Sequence, residues 1–236
     1  MDLFRKARKP RFLLIYPLIP ALFLLAATTE RRLHIGIALA ALGEGIRLWA
    51  NGYVGHVKVN WTQKWRGDAK VGTLITAGPY AHIRHPLYFG SLLLAAGVLV
   101  IVGRLWLALA ALGLLLSVYR RKIVQEEMVL RDEWGPVYAR YQQAVPRYWP
   151  CWRRYAERQG RWSWAGILAS KELKTVAWTV VLVVGLYFWE ELTREHEFLP
   201  AGEPAKYLKQ LALLTAAVIL MAADGLFEII RRLRHS

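Results

Sequence analysis

Apolar residues in this chain come in blocks long enough to cross a lipid bilayer, and that limits the folds open to it more than any motif does. A hydrocarbon core of about 30 Å takes roughly 17 to 25 apolar residues per helix, because there every backbone amide must bond within its own segment. Phe12–Thr29, Leu33–Tyr53, Leu87–Gly103 and Leu173–Trp189 meet that need. Leu105–Tyr119 is shorter, but only Arg104 divides it from the span before, so the two read as a tight helical hairpin. Leu208–Ile230 makes a sixth, with Asp224 and Glu228 near its far end. The expectation is an all-α, polytopic membrane helical bundle of about six transmembrane helices. Pro17 and Pro20 interrupt the first block and "AATTERR" is a poor cleavage site, so that block reads as an uncleaved helix, not a signal peptide.

The formal charge of +15 invites a nucleic-acid reading until the charges are placed. With a cytosolic start and six spans, 25 of the 32 Lys and Arg residues fall in the four inner segments, while six fall in outer loops and Arg47 lies inside a span. This is the positive-inside asymmetry of a membrane protein, with both termini in the cytosol. The basic excess suits anionic membrane lipids, and no soluble basic face suited to nucleic acid is evident. The single cysteine, Cys151, leaves neither an internal disulfide nor a cysteine metal cluster, and no metal site is expected.

Topology places both long polar stretches, Asn51–Pro86 and Arg120–Glu172, on the cytosolic face. Residues 1–150 read as the core, with its motifs in 78–150. Residues 151–236 read as a C-terminal extension ending in a two-helix transmembrane hairpin, which either packs on the core or mediates a homodimer.

"GPYAHIRHPLYFG", Gly78–Gly90, crowds polar groups at the foot of the third span. Gly78 and Pro79 make a turn, and Pro86 suits the first position of the following helix. The amides of that helix start, with Arg84 beside them, suit an anion. Singly, Arg84, His82 and His85 fit a headgroup layer, with Tyr80 and Tyr88 as interfacial aromatics. A second cluster downstream makes the group harder to dismiss.

No Gly or Pro interrupts Leu114–Trp134, so the fourth span should continue into the cytosol as one helix and end at Gly135. Tyr119, Ile123, Glu126, Leu130 and Trp134 share one face at helical spacing, which leaves Glu126 needing a partner. Glu127, four residues before Arg131, suits a solvated ion pair. Arg47 lies near the cytosolic end of the second span, where it either marks a polar site or snorkels to the surface. "GEG" at Gly43–Gly45 reads either as a cofactor element or, more simply, as close helix packing.

The order "GPYAHIRHPLYFG", helical hairpin, "EEMVLRDEWGPVYARY", "VPRYWP" resembles the isoprenylcysteine carboxyl methyltransferase family and the related phospholipid N-methyltransferases. The resemblance covers about Gly78–Pro150, is weaker in "LGEGIRLWANGYVG", and stops at Cys151, after which two further spans follow. It implies S-adenosylmethionine as methyl donor, cytosolic cofactor-binding loops, and a lipophilic acceptor arriving from the bilayer. Arg84, His82 and the backbone near His85 and Pro86 would face the cofactor's carboxylate, and Glu126, with Glu127 behind it, its ammonium. Tyr80 and Tyr88 would pack on adenine or hold a hydroxyl, while Tyr138, Tyr141 and Arg147 would close over the nucleotide. His85, Glu127 and Arg47 are the candidates for handling the acceptor, with Arg84 beside them as a catalytic candidate. The acceptor expected first is a carboxylate, as in isoprenylcysteine O-methylation, and next a phospholipid amine. An NADPH oxidoreductase related to sterol reductases and a catalytically idle scaffold rank below both.

Overall fold

The computed structural model describes residues 18–54, 74–170, 172–195 and 202–233. The start of the first expected span, residues 55–73, and the side chains of Asp224, Glu228 and Arg232 lie outside that description. Among the described residues seven helices run in order: α1 (Leu18–Leu25), α2 (Glu30–Val54), α3 (Pro86–Val102), α4 (Leu105–Ala144), α5 (Trp164–Ala169), α6 (Glu172–Glu190) and α7 (Pro204–Leu233). No strand occurs among the described residues. Three of the described stretches are long and apolar enough to cross a membrane: α2, Glu172–Thr193, which begins with α6, and Pro204–Ala223 of α7, with α3 as a shorter apolar helix.

α2 and α3 lie antiparallel and touch along glycine. A Cβ added at Gly43 would fall 2.6 Å from the Gly90 carbonyl oxygen, and one at Gly97 would fall 2.5 Å from the Gly36 carbonyl oxygen. In a bilayer, helices gain no hydrophobic drive from meeting each other, so close backbone approach through small residues supplies the packing. Gly43 therefore has the packing role open to it in "GEG". Gly45 does not, since a Cβ there meets nothing within 4 Å.

Gly103, in the left-handed region at φ 73°, ends α3 and lets Arg104 begin the hairpin to α4. α1 caps that end: the Ala27 amide donates to the Val102 carbonyl at 2.8 Å, and Arg104 Nε donates to the Leu25 carbonyl at 2.9 Å. Leu33, Ile101, Val102 and Leu186 form the buried apolar core there, so α6 packs on the α2–α3 pair. Val184, Phe188 and Ala217 then seat α7 against α6.

α4 departs from expectation at its end. It does not stop at Gly135: the chain breaks there at φ 43°, ψ −119°, and Pro136 opens a second helical limb that runs to Ala144. Only glycine takes that conformation without strain, and proline suits a fresh first turn. The second limb turns back, so that Arg131 on the first donates to Gln142 Oε1 on the second at 3.0 Å.

Gly97→Ala should push α2 and α3 apart and cost about 1–3 kcal/mol of stability, the usual cost of overpacking. Gly45→Ala, facing open space, should be neutral or slightly stabilising. Thermal unfolding of the two variants in detergent, followed by helical circular dichroism, checks the contrast.

Candidate functional site

The motif segment is held in place by backbone bonds to the chain that follows α4. The Arg84 amide donates to the Pro146 carbonyl at 2.9 Å, Cys151 to His82 at 2.9 Å, Tyr155 to Ala81 at 3.0 Å, and Thr76 to Gln159 at 2.9 Å. Residues 146–159 thus run antiparallel along 76–84 as a strap. Gly78, at φ 63°, starts a single 3₁₀ turn over Gly78–Ala81, and Pro86 takes the first position of α3 as expected.

This scaffold brings Arg84 and His85 against α4, where both meet Glu127. Arg84 Nη1 lies 3.0 Å from Glu127 Oε1, and His85 Nε2 is 3.1 Å from the same oxygen. Arg147, on the strap side, grips both oxygens through Nε at 3.1 Å and Nη2 at 2.5 Å. Gln142 adds a bond to Oε2 at 3.4 Å. Glu127 is buried, which by itself would push its carboxyl up. The hydrogen bonds from His85 and Arg147 and the charge of Arg84 outweigh burial and hold it at about 2. The solvated pairing with Arg131 expected for Glu127 is therefore wrong, and Arg131 turns instead to Gln142. The anion that meets Arg84 is the protein's own.

Glu126 takes the looser position. Tyr88 donates to its Oε1 at 2.5 Å, and His85 Nδ1 lies 3.8 Å from its Oε2. Its side chain retains 29% exposure, against 5% for Glu127. Burial is the main influence on the carboxyl and raises it, against the Tyr88 hydrogen bond and the His85 charge. The Tyr88 ring packs on Tyr119 with centroids 4.8 Å apart. Burial and the charge of Glu126 also push the Tyr80 hydroxyl upward.

His85 sits between the two acids. An ionised Glu127 can only accept, so Nε2 carries the hydrogen of that contact, while Nδ1 is turned to the Glu126 side. Among the described residues three buried donors have no hydrogen-bond partner, Arg84 Nε, Trp134 Nε1 and Tyr138 Oη, and of these Arg84 and Tyr138 border this group. Burial and the Glu127 charge push the Tyr138 hydroxyl up to about 12, so it stays protonated as a donor.

Three expected residues serve the scaffold. His82 Nδ1 is 2.7 Å from the Cys151 carbonyl oxygen, and Tyr141 donates its hydroxyl to the Tyr80 carbonyl at 2.7 Å. Arg47 belongs to a second buried polar cluster and does not snorkel. It bonds Glu172 through Nε at 2.6 Å, donates to Ser91, and approaches Glu44 at 3.5 Å. Asn51 donates to Glu172 Oε2 at 2.8 Å, and Thr179 to Glu44 at 3.1 Å. This cluster ties α6 to α2 and α3. Nothing in the sequence pattern singles out Gln142, Trp134 or Glu172: Gln142 lies beyond the helix break, Trp134 falls on an apolar helix face, and Glu172 finds its partner 125 residues away.

Spanning helices with a charged, partly unsatisfied site at one end define an integral membrane protein of helical bundle type. Residues 31–136 match the family model of phospholipid methyltransferases, which bears out the resemblance seen in the sequence, and this similarity supports a membrane methyltransferase. The matched segment holds the α2–α3 contact, the Arg84–His85 motif and both glutamates, and stops before Tyr138, Tyr141 and Arg147. No curated protein and no solved structure matches the chain.

Because the folded carboxyl of Glu127 lies at about 2 against an ordinary 4.5, its contribution to stability is complete above pH 4.5 and is lost as pH falls toward 2. At neutral pH that contribution is on the order of 3 kcal/mol. Glu127→Gln should remove it, so unfolding curves of variant and parent should differ at pH 7 and converge toward pH 2.

Proposed function

We propose that the protein is an S-adenosylmethionine-dependent methyltransferase that acts at the cytosolic border of the bilayer on an amine-bearing phospholipid. The single observation that carries the reading is the unequal pair Glu126–Glu127 around His85. The family match and a poised base favour an amine over the carboxylate expected first, since a carboxylate acceptor needs no base.

The residues present fit the cofactor's zwitterionic end. Arg84 Nε and Tyr138 Oη are donors without acceptors among the described residues, which suits a carboxylate. Both oxygens of Glu127 are already bonded to its cationic and amide neighbours, so Glu126, with an oxygen uncommitted to any arginine, is the group to hold the ammonium. When bound, the cofactor supplies an electrophilic methyl group on its sulfonium.

The chain's own residues supply the rest. Glu127 fixes the ring of His85 and keeps hydrogen on Nε2, so that Nδ1 can take a proton from an incoming ammonium and leave a neutral amine. Burial of His85 and Glu127 keeps bulk water from that transfer. Alignment of the acceptor then contributes the larger share of rate, as it does in oriented displacements generally. The Lys and Arg asymmetry supports a cytosolic site, with both termini on the same side.

Purified protein with methyl-labelled S-adenosylmethionine, offered phosphatidylethanolamine vesicles and separately a prenylcysteine analogue, tests this. Labelled phosphatidyl-N-methylethanolamine is expected. Label in the prenylcysteine ester would move the acceptor to a carboxylate, and failure to bind the cofactor would overturn the assignment. Glu126→Gln should abolish cofactor binding in calorimetry. His85→Gln should keep binding and lower kcat by about 10²–10⁴-fold, the usual share of a general base.

A further inference from the structure

The strap that closes the site also carries an outward surface that neither the core nor the site uses. From Tyr148 to Trp164 the sequence reads "YWPCWRRYAERQGRWSW", with four arginines and Glu157 as its one acid. Its position relative to the bilayer follows from its anchors. It pairs with residues 76–82 just before α3 begins, and the Ser163 amide donates to the Gly52 carbonyl at 2.8 Å near the end of α2. The strap therefore crosses the ends of two membrane-embedded helices, at the level where hydrocarbon gives way to headgroups.

What it exposes there is unusual for a chain facing water. Trp152 is 99% exposed, Trp149 74% and Trp164 70%, and Trp149 touches Phe89 in the first turn of α3 with ring centroids 6.1 Å apart. Arg153, Arg154, Arg158 and Arg161 are all exposed, and none is paired among the described residues. Glu157 turns toward Arg140, 4.0 Å away, and not toward these four. Exposed tryptophan is costly in water and favourable in the interfacial layer. Unpaired arginines beside it add attraction to negative headgroups, which they bind through paired N–H donors.

We propose that the segment Tyr148–Trp164 is a docking surface for anionic lipid headgroups, with its tryptophans seated in the interface and its arginines on lipid phosphates and other headgroup anions. The assignment stands apart from the methyl-transfer reading, since it uses none of the site's side chains. It bears on the site all the same, because the residues just before the segment are Pro146 and Arg147, which hold Arg84 and Glu127.

The test places a nitroxide label on the strap of the full chain. Cys151→Ser removes the one native thiol while keeping a donor for the His82 carbonyl, and Trp152→Cys supplies the attachment point at the most exposed residue. In phosphatidylcholine vesicles with and without phosphatidylglycerol, collision with lipid-soluble oxygen is compared with collision with a water-soluble nickel chelate. The oxygen-to-nickel ratio should rise several-fold when phosphatidylglycerol is present, fall back in high salt, and lose its lipid dependence when the four arginines are changed to glutamine. A label as open to nickel as one in bulk water, in both compositions, would overturn the proposal. So would equal immersion in both compositions with no effect of salt, which would reduce the strap to a plain aromatic anchor.

Discussion

A buried carboxylate in this setting cannot stand without partners, and the arrangement around Glu127 is the answer to that constraint. An ionised group taken out of water costs several kcal/mol unless its oxygens are fully bonded. Here the bonds come from Arg84 and His85 before α3, and from Gln142 and Arg147 beyond the break in α4. None of these reaches Glu127 by local geometry. Gly135 must fold the second limb of α4 back, and the strap must lie along 76–84, before the set closes. The ion cluster is thus a product of the fold and a condition for it.

The membrane portion obeys a different economy of contact. α2 and α3 approach through Gly36, Gly43, Gly90 and Gly97, where no side chain could fit. That closeness sets Arg47 over Gly90 and within reach of Ser91, and leaves its remaining donors for Glu172 at the start of α6. Charges embedded near lipid are retained when they are paired within protein. The second cluster therefore works as a latch: it joins the C-terminal hairpin to the helices that carry the motif, at the same end of the bundle as the strap.

Much of this was legible in the residues. Apolar block length alone located α2, α3, α6 and α7, because hydrocarbon thickness fixes helix length with little help from tertiary contacts. Pro86 as a helix start and the hairpin at Arg104 were equally local. The glutamates were harder. Ile123 and Leu130 lie on the buried face, but from Ile123 a step of three gives Glu126 and a step of four gives Glu127, and both are helical spacings. Glu127 prevailed because Arg84, His85 and Arg147 stood ready on that side, and those contacts span 20 to 43 residues of sequence. Gly135 looked like a terminus because a glycine that ends one helix and a glycine that joins two have the same local signature. What differs is Pro136 after it, together with the tertiary reward of bringing Gln142 back.

The adjacency of the two acids gives the site its character. Neighbours on a helix point about 100° apart, so one rotation of α4 cannot bury both equally. Glu127 is driven inward, saturated and held ionised, while Glu126 remains half open, with its carboxyl raised by burial and a tyrosine as its closest partner. His85 touches the first through Nε2 and faces the second through Nδ1. A single imidazole between a committed carboxylate and an uncommitted one is thus oriented from behind by Glu127 and turned toward Glu126 in front.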